Sequence, residues 1–162
     1  VLHDSGWSKL TEQEVANSLG VTGLKLTKTA LGPKEKHAVE GEKIAREMLQ
    51  NYDFKETLSQ EEIDLICNAI LYHDKPEAVA GANEPMPLEV QVLVDLDHIW
   101  SFTHENFWQD TVRKGVAPQD YFANLQNDLD AYFVTSEGKE LAKELLAKRA
   151  EELEHYQSPR II

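Results

Sequence analysis

Five residues in four separate stretches are of metal-ligand type: His3 and Asp4 in VLHDSGW, His37 in KEKHAVEGEKIAREML, His73 in ICNAILYHD and Asp95 in VQVLVDLDHI. Each stands where its local pattern calls for an apolar side chain. His37 lies three and four residues from neighbours on the face of Gly41, Ile44, Ala45 and Met48, so it is expected to point inward, with Gly41 leaving space beside it. His73 continues the stripe of Ile66 and Ile70, Asp95 sits on the stripe of Leu88, Val92, Leu96 and Ile99, and His3 and Asp4 end an apolar lead-in. A buried imidazole needs a partner, and a buried carboxylate is costly unless paired or bound to a metal. Imidazole plus carboxylate, with no thiolate, suits iron, manganese, zinc or nickel rather than a structural zinc site built on cysteine. Plainer readings compete residue by residue. Asp95 can cap a helix or pair with an arginine, and Asp97 is an equally acidic rival. His73 can meet a helix C-terminus, and His37 can turn to solvent in a first turn. His98, His104 and His155 fall on charged or mixed faces and read as surface residues.

The elements that must carry these residues read as helix after helix. Thr11 and Glu14 have capping-box spacing ahead of Val15 and Leu19, and Gly20 closes that helix. VTGLKLTKTALGP is loop-like. Gly32-Pro33 then opens a strong helix, proline being tolerated where its missing N–H costs nothing. Ser59 and Glu62 form a second capping box before Ile63, Ile66, Cys67 and Ile70. AGANEPMP reads as a loop. LEVQVLVDLDHIWSF is apolar on most sides; helical spacing and the lack of a partner strand favour a helix. ENFWQDTVRKG, APQDYFANLQNDLDAYF and a last helix with Thr135 or Ser136 as N-cap complete an all-α domain, expected over residues 1–156 with a frayed tail over 157–162.

Composition narrows the function. The 162 residues suffice for one core, and 41% apolar with 28% charged residues is ordinary for a globular chain. Acidic residues outnumber basic ones 29 to 16, a formal charge of −13 that argues against DNA binding or docking on an anionic membrane. It leaves room for a small phosphorylated molecule held by local lysines. The single Cys67 forms no internal disulfide, so a reducing cytoplasm is the expectation, and no apolar run approaches the roughly 20 residues of a membrane span.

The ordered set resembles the HD domain superfamily of metal-dependent phosphohydrolases. VLHDSGW is similar to its His-Asp core, HAVEGEKIAREML to the following His helix, AILYHD to the next metal histidine and VLVDLDHI to the closing Asp helix; the C-terminal YFVTSEGKELAKELLAKRAEELE is similar to the tail of many such chains. The resemblance implies a compact multi-helix bundle holding one or two divalent ions (iron, manganese, nickel, cobalt or magnesium). His3 and Asp4 match the dipeptide, whose aspartate bridges both metals, His37 and His73 match the histidines of the second metal, and Asp95 matches the last aspartate of the first. The family's preceding histidine helix has no counterpart here, so the chain is expected to be a fragment. Trp7 stands where many relatives have lysine.

The implied reaction is hydrolysis of a phosphoester, a nucleotide among the possibilities, by metal-activated water, with Asp4 central to it. Lys9, Lys36 and Lys75, each close in sequence to a proposed ligand, are the candidates for meeting the phosphate. The same ligand set serves a di-iron oxygenase cleaving a C–C or C–P bond, and a silent module binding a ligand or partner is a third reading.

Overall fold

The structure, a computed structural model, describes residues 2–18, 32–51 and 58–156. A 3₁₀ helix (His3–Lys9) leads to α1 (Glu12–Ser18); α2 (Pro33–Asn51), α3 (Gln60–Tyr72), α4 (Pro76–Ala80), α5 (Leu88–Ile99), a second 3₁₀ turn (Trp100–Phe102), α6 (His104–Lys114), α7 (Pro118–Tyr132) and α8 (Ser136–His155) follow. Among the described residues there is no strand, and the helices form a compact all-helical bundle. The short α4, inside a segment without helical periodicity, was not expected. The loop expected over 21–33, the close of the first helix at Leu19 and Gly20, and the frayed tail over 157–162 lie outside the described residues, apart from Gly32 and Pro33.

Local chemistry sets the helix starts. Thr11 and Glu14 exchange cap hydrogen bonds, the Thr11 N–H donating to Glu14 Oε2 at 2.8 Å and the Glu14 N–H to Thr11 Oγ1 at 3.3 Å. Ser59 and Glu62 do the same ahead of α3. Thr135 caps α8 by accepting from the Gly138 N–H, and α6 stops at Gly115, whose φ of 63° is the left-handed conformation that ends helices.

The apolar interior has three parts. Ala45 and Leu49 of α2 meet Ile63, Cys67 and Ile70 of α3. Ala69, Val79, Val90 and Val94 join α3, α4 and α5. Phe102, Phe107, Tyr121, Leu125, Phe133, Ala142 and Leu146 bind α6, α7 and α8 together. Helix α5 is rotated from the expected orientation: Val90 and Val94 are buried, whereas of the expected core stripe Leu88, Val92 and Leu96 are exposed and Ile99 packs against the core. A helix apolar on most sides does not announce which side faces in. No helix of the described residues is long and apolar enough to cross a membrane.

Candidate metal centre

The first 3₁₀ helix lies directly against α2 because two glycines meet there. A Cβ on Gly6 would sit 1.8 Å from the His37 carbonyl oxygen, and one on Gly41 would sit 3.0 Å from the His3 carbonyl oxygen. The room beside His37 that Gly41 suggested is therefore filled by the backbone of the His-Asp turn. This approach sets Asp4 over the inward face of α2, while His73, the residue after α3, closes from the other side.

Asp4, His37 and His73 come together, one ligand atom of each lying within 4.8 Å of the others. Both imidazoles are buried and Asp4 is exposed. His37 Nε2 stands 3.0 Å from His73 Nε2 and 3.9 Å from Asp4 Oδ1. Trp7 organises the pair from outside: its ring stacks on His37 at 4.1 Å, and its Nε1–H donates to Asp4 Oδ1 at 3.0 Å. His3 Nε2 reaches Asp4 Oδ2 at 3.1 Å and Asp97 Oδ1 at 3.5 Å.

The geometry of this pair is compatible with a cation. His73 Nδ1 is 2.6 Å from the Ile70 carbonyl, which can only accept, so His73 carries its hydrogen on Nδ1 and presents a bare Nε2. Without a cation, the hydrogen between the two Nε2 atoms must come from His37. That leaves His37 Nδ1 buried and bare, with no well-formed hydrogen bond, a state that costs about 1–3 kcal/mol. A cation facing both Nε2 atoms would take the place of that shared hydrogen and leave His37 to carry its own on Nδ1. The separation fits as well: two metal–nitrogen bonds of about 2.1 Å at right angles span about 3.0 Å. Burial, and the neighbouring His73 after it, hold His37 below the usual histidine range; Asp74, the Lys34 backbone and Asp4 oppose this. The neutral imidazole so favoured is the form a metal binds.

Asp95 is not brought to this group. Its carboxylate accepts the Val134 N–H at 2.8 Å, the Thr135 N–H at 3.0 Å and the Thr135 hydroxyl, and it rests on Gly138, where a Cβ would stand 2.2 Å from Oδ2. It fastens α5 to the start of α8, and both of its oxygens are engaged at that junction rather than at the Asp4, His37 and His73 cluster. Asp97, its rival, faces the histidines instead. Burial pushes the Asp97 carboxyl up, His73, His98 and His3 pull it down, and Asp74 adds to the rise.

Nor do the expected lysines line the site. Lys36 pairs with Glu14 at 2.8 Å and Lys75 lies 5.8 Å from the centre of the Tyr72 ring. Lys9, in the last turn of the first 3₁₀ helix, is exposed and acts on Glu40. The cations that do line the cavity above Asp4, His37, His73 and Asp97 are Lys34, Arg113 and Lys114, and its volume is about 390 Å³. Lys34 pairs with Asp74 at 2.9 Å, and Arg113 and Lys114 both meet the buried carboxylate of Asp110. Asp74 could have been suspected from its place next to His73; the cations of α6 carry no signal in sequence. His98 also departs from its expected surface place, being largely buried with Nδ1 donating to the Val94 carbonyl at 2.8 Å, while His104 and His155 are exposed. Comparison with protein-family models, with curated proteins and with solved structures yields no match in any of the three.

Proposed function

We propose that this chain is a metal-dependent phosphohydrolase of the HD type, acting on a small phosphorylated molecule. The observation that carries the reading is the pair of buried imidazoles with facing Nε2 atoms beside Asp4, in a cavity that Lys34, Arg113 and Lys114 also line. His37, His73 and Asp4 are the residues that would hold a divalent ion, with Asp97 as the neighbouring carboxylate in place of Asp95. A divalent ion bound there supplies a Lewis acid and a water acidic enough to attack near neutral pH. The chain's own residues do the rest. Ile70 fixes the His73 tautomer, Trp7 holds Asp4 and the His37 ring in register, and Lys34, Arg113 and Lys114 face the anionic oxygens of the substrate. The buried Cys67, free of any disulfide, accords with a cytoplasmic setting.

Metal content and turnover test this together. The full chain is expected to retain iron or manganese through gel filtration and to hydrolyse phosphomonoesters in a metal-dependent way. Asp4→Ala, at an exposed position that packing does not need, and His73→Ala should each lose metal affinity by 10-fold or more, the scale of losing a ligand or its support. Equal manganese binding by the wild type and both variants would sink the proposal. Iron-dependent consumption of oxygen, with no phosphate released, would replace hydrolysis by oxygenase chemistry at the same residues.

A further inference from the structure

A second cavity, of about 190 Å³, adjoins the first, and Lys34, Ser101 and Lys114 line both. These three residues form a neck with the histidine cluster on one side. Beyond the neck the walls change character. Phe102, Tyr121 and Leu125 are buried apolar surface, and His98 stacks on Tyr132 with ring centres 4.9 Å apart. Asp128 also lines this space and receives no hydrogen bond from a described residue. Burial pushes its carboxyl up against the pull of Lys114 and His98. So the second cavity offers aromatic and aliphatic walls with one acceptor that no described residue answers.

We propose that this second cavity is the leaving-group pocket of the enzyme, and that it selects phosphomonoesters whose alcohol carries a flat ring bearing an N–H donor. The inference rests on the hydrolase reading and adds what that reading leaves open, the kind of alcohol released. In-line displacement places the leaving oxygen opposite the attacking water. With water on the Asp4 and histidine side, the phosphoryl oxygens face the Lys34, Arg113 and Lys114 wall and the leaving group passes through the neck. The oxygen of water bonds to phosphorus as the bond from phosphorus to the alcohol oxygen breaks. One water proton stays on the released phosphate and the other ends on the alcohol. The ring then lies against Tyr121, Tyr132 and His98, where aromatic faces favour offset or edge contacts, and its N–H donates to Asp128.

Three esters separate these elements on the manganese-loaded full chain: 3-aminobenzyl phosphate, 3-methylbenzyl phosphate and ethyl phosphate. The kcat/KM is expected to fall by about 10-fold from amino to methyl, as an acceptor loses its donor, and by a further 10-fold or more to ethyl. Asp128→Leu should bring the amino-to-methyl ratio close to one, Asp128→Asn should retain part of it, and Tyr132→Ala should shrink the step from methyl to ethyl. Melting curves establish that each variant is folded. Equal kcat/KM for the three esters, or a ratio untouched in folded Asp128→Leu, overturns the leaving-group pocket and leaves the hydrolase reading in place. No turnover of any ester by metal-loaded protein overturns both.

Discussion

Two aspartates, two residues apart on α5, have opposite relations to their surroundings. Asp95 accepts two backbone N–H groups and a hydroxyl where α7 hands over to α8, so its charge is used by the fold. Asp97 is pushed toward its neutral form by burial and is left facing imidazoles, so its charge costs stability and serves the cavity. Asp95→Asn is accordingly expected to lose about 2 kcal/mol of stability, the scale of a hydrogen bond to a charged acceptor, with manganese affinity unchanged. Asp97→Asn should melt no lower than the wild type yet lose phosphoester turnover by 10-fold or more. Thermal melts and manganese titrations on both variants decide the assignment, and the reverse pattern would return Asp95 to the site. Sequence carried this far and stopped: it put acidic residues on a largely apolar helix, but spacing along a helix does not report its rotation, and of the stripe it favoured Leu88, Val92 and Leu96 face solvent while Ile99 packs inward. His37 and His73 were legible because their stripes have one apolar side.

At the level of elements, features set by neighbours in sequence were readable and those set by two segments meeting were only half readable. Both capping boxes, Pro33 at the start of α2 and Thr135 at the start of α8 stand as their patterns require, since each is closed within three or four residues. The contact of the first 3₁₀ helix with α2 depends instead on Gly6 and Gly41 together, and sequence showed a small residue without showing what would fill its space. The arrival of Lys34, Arg113 and Lys114 at one cavity from α2 and α6 is a tertiary event with no local trace. Gly6→Ala tests the contact. Its Cβ would press on the backbone of α2, so a loss of about 3 kcal/mol is expected, together with weaker manganese binding as Asp4 moves away from His37. Gly115→Ala is the comparison: its positive φ costs about 1 kcal/mol, nothing lies within 4 Å of the added methyl, and manganese affinity should not change. Equal effects of the two on metal affinity would mean that the 3₁₀ helix does not position the site.

Over the whole molecule, the excess of acid makes pH a probe of how charge is held. The fold lowers the carboxyls of Glu14, Glu40, Glu62, Asp64, Asp130, Glu137 and Glu152, while it raises those of Asp97 and Asp128. A lowered carboxyl favours the fold while charged and stops doing so once protonated; a raised one does the opposite. The lowered set is the larger, so acid should destabilise the protein even though acidification first brings its net charge toward zero. Glu14 gives the sharpest case: the Lys36 ammonium, then the cap bonds from Thr11, bring it from 4.5 to about 2. Its contribution is complete above about pH 4.5 and is lost as pH falls toward 2. Glu14→Gln keeps a side-chain oxygen for the cap and removes the charge. The variant should melt below the wild type at pH 6 to 7, and the gap should close progressively as the pH is taken down through 4.5. A gap that stays constant to pH 2.5 would show that the side chain acts through packing and the cap alone, and that the Lys36–Glu14 pair does not tie α1 to the helix that carries His37.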